Sequence, residues 1–235
     1  MFKIRIANLN IKINNLYDFT KEYCKDFLID DNEECEIEVF STVEKLEYEK
    51  KVTPDKLPDM AYELTSVYRE ICDKILKYDI MFMHASSIAY EDKAMLFLAL
   101  SGTGKSTHAR MWQEVYGDKV SYVNDDKPLL CKIDGKWMVC GTPWNGKHRR
   151  GENKILPLQA ICLIKRNESN FTREITSNEI LAKFFNQIII PREKDALEKT
   201  LSLASDLLSN NKLYEINCTI SHEAAIKACE TIFKK

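Results

Sequence analysis

The sequence predicts an α/β fold with a small β-rich lead-in, and three observations carry that reading. Short apolar and polar alternations occupy the first fifty residues, apolar residues then recur along one helical face, and an apolar strand runs into a glycine-bearing turn followed by a helix. Phe2, Ile4 and Ile6, then Ile11 and Ile13, then Cys35, Ile37 and Val39 alternate as half-buried strands do. Pro54 and Pro58 punctuate a polar link, after which Met60, Leu64, Val67, Tyr68, Ile71 and Ile75 fall three or four apart and predict a helix. Phe82 to Tyr90 and Lys93 to Leu100 read as two strands joined at Glu91 and Asp92, with a helix from about Lys105 to Tyr116. Strands resume at Val120 to Val123, Leu129 to Ile133 and Lys136 to Cys140, the last two turned by Asp134 and Gly135. One apolar strand, Ala160 to Ile164, three helical patterns and a short strand near Leu213 to Ile216 complete a scaffold. This reading divides the chain into a β-rich segment, residues 1–55, and a main domain, residues 56–235.

With 235 residues and 45% hydrophobic content, the chain can bury one core, or one core and a small appended domain. The formal net charge is -2, from 34 basic residues interspersed among 36 acidic ones, so no broad basic surface is offered and nucleic acid is not an expected partner. The longest apolar run, Ala94 to Leu100, is too short to cross a bilayer, and the N-terminus carries no apolar leader. A soluble, cytoplasmic protein is expected, with no membrane partner and with room for a homo-oligomer. Eight cysteines are scattered without a C-x-x-C pair, which predicts reduced, mostly buried thiols rather than a zinc or redox centre.

All seven glycines lie between Gly102 and Gly151, which concentrates close backbone work in that window. Within it, Ala99-Leu100-Ser101-Gly102-Thr103-Gly104-Lys105-Ser106 matches G-x-x-x-x-G-K-[ST], with alanine in place of the first glycine. In such a loop, backbone N–H groups from Ser101 to Thr107 and the positive end of the following helix cradle phosphates. Lys105 would reach the β- and γ-phosphates, and Ser106 would offer its hydroxyl to Mg²⁺. The preceding apolar strand and the following helix supply the context that the motif requires, so ATP and Mg²⁺ are the expected ligands.

Asp125 and Asp126 follow an apolar strand and should emerge at its end, where one carboxylate can hold the metal shell and the other can accept a proton. His84, in Met83-His84-Ala85-Ser86, is expected on the strand beside the one that delivers the loop; it reads either as a bonded core histidine or as an imidazole that approaches Asp126 or a metal. His108 and His222 read as structural or solvated. Gly141-Thr142-Pro143-Trp144-Asn145-Gly146-Lys147, followed by His148-Arg149-Arg150, reads either as a basic surface turn with Trp144 tucked inward or as a loop in which Lys147, Arg149 or Arg150 grips an anionic substrate. Arg192 is a further candidate for that duty.

Together, His84, the glycine loop, Asp125-Asp126 and Gly-x-Pro-Trp-x-Gly-Lys resemble the HPr kinase/phosphorylase C-terminal-domain superfamily, in particular its compact HPr-kinase-related members. They are also similar to the nucleotide-binding half of ATP-dependent phosphoenolpyruvate carboxykinase. The resemblance spans roughly Met83 to Lys147, about a quarter of the chain. It implies a mixed, twisted β-sheet flanked by helices, with Asp126 as base near His84, Lys105 on the phosphates, and Ser106 and Asp125 on the metal. The implied activity is transfer of the γ-phosphoryl group of ATP to a serine-like hydroxyl of a peptide, protein or small metabolite. The later G-x-x-E-x-R-G signature of HPr kinases is missing from this sequence, which speaks against HPr itself as the acceptor. Two other readings stay open: a carboxykinase-like lyase acting on oxaloacetate, and a nucleotide-binding regulator without transfer.

Overall fold

In a computed structural model of the chain, every residue except Ser101 and Lys235 is described. The described residues form two compact units, Met1–Ile80 and Met81–Lys235. Among them no helix is long and apolar enough to cross a membrane.

In the first unit, β1 (Phe2–Ile6) and β2 (Leu9–Asn14) form a hairpin whose turn residues, Ala7 and Asn8, both take positive φ, the conformation that suits a two-residue hairpin. After α1 (Asp18–Tyr23), β3 (Ile37–Phe40) adds to the sheet parallel to β2. Two further helices, α2 (Val43–Val52) and α3 (Asp59–Ile75), follow. Ile4, Ile11, Ile13, Val39, Ile71 and Ile75 are completely buried, which is where the period-2 and helical patterns send them. The buried Glu63 carboxylate accepts from Leu16 N, Tyr17 N and Thr20 Oγ, tying the loop before α1 to α3.

The second unit opens with β4 (Met81–Phe82), β5 (Ser86–Tyr90) and β6 (Lys93–Leu98), followed by α4 (Lys105–Tyr116). Next come β7 (Val120–Asn124), β8 (Leu129–Ile133), β9 (Lys136–Cys140) and the long β10 (Ile155–Arg166). The chain ends with β11 (Phe171–Glu174), α5 (Ser177–Phe185), α6 (Lys194–Ser209), β12 (Leu213–Cys218) and α7 (His222–Ile232). These strands make one curled, mixed nine-stranded sheet in the order β4-β8-β9-β10-β6-β5-β7, with β12 between β10 and β11. Its curl centres on β10, which pairs antiparallel with β9 through Ile155–Pro157 and then parallel with β6 and β12 farther along. Helices α4 and α7 pack together in the core cluster that holds Phe97, Trp112 and Ile216. Ala224, Ala225 and Ala228 allow that close helix contact, and complete burial of Phe97 contributes about 2–3 kcal/mol.

Four expectations need correction. The first fifty residues are not purely β-rich: α1 lies inside them and α2 begins inside them. Helix α2 is mostly charged, so its apolar period is faint; its start is fixed by Thr42, whose side chain accepts from Lys45 N, and its buried Glu49 pairs with Arg69 of α3. Helix α3, grouped by sequence with the main domain, lies in the first unit. The strand expected over Phe82 to Tyr90 breaks at residues 83–85, where backbone N–H groups leave the ladder for loop carbonyls: Met83 N bonds Pro128 O, His84 N bonds Gln187 O, and Ala85 N bonds Asp126 O. Strand β10 starts at Ile155, earlier than its apolar run, because its first residues pair with β9 alone, and β11 is a mostly exposed edge that hydropathy does not mark.

Candidate active site

The site is positioned by strand direction. Strand β5 lies between β6 and β7 and is antiparallel to both, so β6 and β7 run the same way and their C-terminal ends flank the start of β5. The glycine loop leaves β6 at that edge, Asp125 and Asp126 leave β7, and Ser86 begins β5.

In the glycine loop, Thr103 N donates to Leu100 O at 3.1 Å and His108 N donates to Gly104 O at 2.8 Å. Gly102 and Gly104 take φ of +74° and +122°, in the left-handed region that favours glycine; a side chain at Gly102 would meet nothing within 4 Å. The loop therefore leaves open space over its backbone. Lys105 Nζ folds back to Ala99 O at 3.1 Å, and Ser106 and Thr107 sit half-buried on the first turn of α4. Burial lowers the Lys105 pKa, against the pull of the Asp126 and Asp125 charges. Ser101 lies outside the described residues. From the end of β10, Arg166 braces the loop by donating to Gly102 O at 2.6 Å and Thr103 O at 3.0 Å. A cleft of about 540 Å³ opens beside it, lined by Leu100, Gly102, Thr103, Ile164, Arg166 and Lys183.

The adjacent carboxylates turn into different surroundings. Asp125 is buried and accepts from Ser86 Oγ at 2.6 Å, and the nearby Ser106 hydroxyl also favours its charged form. Burial raises its pKa and outweighs those hydrogen bonds and the charge of Arg150. Asp126 Oδ1 instead lies 3.3 Å from His84 Nε2, and Oδ2 lies 3.8 Å from Lys127 Nζ. Burial works to raise the Asp126 pKa, but the His84 hydrogen bond and the charges of Lys127, His84 and Lys105 outweigh it and hold the carboxyl below its ordinary value. Asn124 sets the divergence: its Oδ1 accepts from Asp126 N at 2.9 Å and Lys127 N at 2.6 Å, while its Nδ2 donates to Thr142.

The loop after β9 closes the other side. A side chain at Gly146 would lie 3.1 Å from Asp126 Cβ, and one at Gly141 would lie 1.8 Å from Glu152 O. Trp144 is buried, as the inward-tucked reading expects. Arg150 reaches the site: its backbone O accepts from Asp125 N at 3.0 Å and its guanidinium bonds Tyr122 OH at 3.1 Å. Lys147 and Arg149 are exposed, with Arg149 donating to Pro143 O at 3.3 Å, and Arg192 is exposed beyond Pro191. Geometry therefore gathers His84, Lys105, Ser106, Asp125, Asp126 and Arg150, and leaves Lys147, Arg149 and Arg192 facing solvent. His108 is buried and accepts from Trp112 Nε1 at 3.0 Å, and His222 pairs with Glu114 at the surface, consistent with structural roles for both.

The oxygen donors fit a hard cation. Ser106 already acts on the Asp125 carboxylate, and among the described residues no group of three or more His, Cys, Asp or Glu side chains is arranged around a metal position. Remaining ligands for Mg²⁺ would then be phosphate oxygens and water. Sequence reasoning passed over Ser86, Asn124 and Arg166. Of these, Asn124 had a local signal, an Asn two residues before the turn at Asp126-Lys127-Pro128; the other two meet the site only through strand pairing.

No protein-family model and no curated protein matches the chain. Among solved structures it is similar to the Hpr(Ser) kinase/phosphatase from Coxiella burnetii, with a TM-score of 0.39 and 9% identity, over 65% of this chain and 97% of that one.

Proposed function

We propose that the chain is an ATP-dependent phosphotransferase that moves the γ-phosphoryl group to a serine-like hydroxyl of a peptide, protein or small metabolite. One observation carries this reading: neighbouring carboxylates are sent to different partners, Asp125 to the hydroxyl of Ser106 and Asp126 to His84, with Lys105 between the glycine loop and both. Two carboxylates with opposite pKa shifts suit two jobs.

In this mechanism the glycine loop and the start of α4 hold the phosphates, and the Lys105 ammonium exchanges Ala99 O for the β- and γ-phosphate oxygens. Mg²⁺, when bound with the nucleotide, would neutralise charge on the transferring group from a place beside Ser106 and Asp125. Asp126, ionised at neutral pH, takes the proton of the acceptor hydroxyl as that oxygen bonds to the γ-phosphorus and the bond to the β-bridging oxygen breaks. ADP departs with that electron pair. His84 orients the base through its 3.3 Å contact with Oδ1. A carboxylate with a lowered pKa is a modest base, which suffices because phosphoryl transfer depends mainly on positioning and electrostatics.

The test is a transfer assay with labelled ATP against a panel of serine peptides and hydroxylated metabolites, run beside ATP-binding measurements. Asp126→Asn should keep ATP affinity within about threefold while transfer falls by about 10²–10⁴. Lys105→Ala should lose both binding and transfer. Wild-type turnover in Asp126→Asn would remove the base assignment, and unchanged ATP affinity in Lys105→Ala would remove the phosphate site.

A further inference from the structure

Two adjacent serines of β5, Ser86 and Ser87, are completely buried, yet their hydroxyls do different things. Ser87 Oγ donates to the backbone oxygen of Met95 on the neighbouring strand at 2.9 Å, a bond internal to the sheet. Ser86 Oγ donates to Asp125 Oδ1 at 2.6 Å, the short distance of a charge-assisted bond. Successive side chains of a strand point to opposite faces, so one serine serves the sheet and the other serves the site. Register fixes this placement: Ser86 stands opposite Phe97, one residue before the end of β6, while Ser87 stands opposite Asn124 at the end of β7. Ser86 thus lies between the strand that feeds the glycine loop and the strand that feeds the carboxylates.

We propose that Ser86 is a positioning residue for the cation site, holding Asp125 in the orientation that meets Ser106. The proposal rests on the phosphotransferase reading, in which Ser106 and Asp125 share Mg²⁺ with the nucleotide. Asp125 is 8% exposed, so solvent is a poor substitute for the Ser86 hydroxyl. Without it the carboxylate would swing toward whichever donor remains, among them Arg150, whose charge already acts on it. Groups that orient metal ligands in this way typically govern metal affinity by about 10–100-fold.

The experiment measures ATP affinity by calorimetry, in excess EDTA and across a Mg²⁺ titration, for wild type, Ser86→Ala, Ser86→Cys and Ser87→Ala. Ser86→Ala should move the Mg²⁺ midpoint up by about tenfold or more while metal-free ATP affinity stays within about twofold. Ser86→Cys keeps a donor at the same place, weaker and somewhat larger than the hydroxyl, and should fall between; it supplies the same readout if the alanine variant does not fold. Ser87→Ala should lower thermal stability and leave the Mg²⁺ midpoint in place. An unchanged midpoint in folded Ser86 variants, beside Mg²⁺-linked ATP binding in wild type, would overturn the role of Ser86 alone. Wild-type protein whose ATP binding ignores Mg²⁺ would overturn the shared-cation reading and this role with it.

Discussion

At Gly102 an added side chain would meet no atom within 4 Å, whereas at Gly141 it would stand 1.8 Å from the carbonyl oxygen of Glu152. Both glycines belong to loops at one site, but they answer to different demands. Gly102 and Gly104 bend the backbone through positive φ and leave room above it. At Gly141 the chain closes on itself: Gly141 N donates to Lys154 O at 2.9 Å, Glu152 N reaches Val123 O at 3.3 Å, and Gly151 bridges Asn124. Under the proposed function one loop is a receptor for a ligand, whereas the other is a buttress that holds Gly146 against Asp126. A cluster of glycines in a sequence therefore records close approach without saying to what.

The sharpest way to break this comparison is Gly141→Ala. The new methyl collides with backbone that cannot move without opening the start of β10, so a loss on the order of 4 kcal/mol is expected in chemical denaturation. A loss below about 1 kcal/mol would mean that the buttress is pliant.

The helix leaving the open loop is anchored by His108, whose burial pushes its pKa down from 6.5 to about 4. The unfolded chain then binds a proton that the folded chain refuses, so stability present above pH 6.5 falls as pH drops toward 4. The loss should amount to roughly 3 kcal/mol, read from denaturation midpoints at successive pH values. His108→Gln should flatten that slope; an equally steep slope in the variant would assign the effect to other groups.

Gly102→Ala carries only the strain of a left-handed alanine, so about 1–2 kcal/mol of stability should go. ATP binding should suffer more than stability, the reverse of Gly141→Ala. If both variants lose stability equally, the contrast between receptor and buttress fails. The smallest change is expected from Lys147→Ala, because the side chain is exposed: stability should move by less than about 0.5 kcal/mol. A drop in transfer with ATP affinity preserved would make the buttress loop a partner of the acceptor as well, and no change would leave it purely structural.

Local chemistry was enough to write much of this molecule from its sequence. The turns at Glu91-Asp92 and Asp134-Gly135, the helix Lys105–Tyr116 and the strands Leu129–Ile133 and Lys136–Cys140 follow from short-range period and turn residues, and the structure has them where the sequence puts them. Asp125 and Asp126 likewise emerge from the end of an apolar strand. What the sequence could not decide is how strands far apart in the chain are ordered, because pairing energy depends on partners that the local pattern does not name. That order places β5 between β6 and β7, breaks the strand at His84 so that it meets Asp126, and brings Ser86 to Asp125 and Arg166 to the glycine loop. The same tertiary closure separates the glycines of one fifty-residue window, leaving open space over Gly102 and setting Gly141 against the chain itself, because a missing side chain marks room or close approach only once the fold supplies the neighbours.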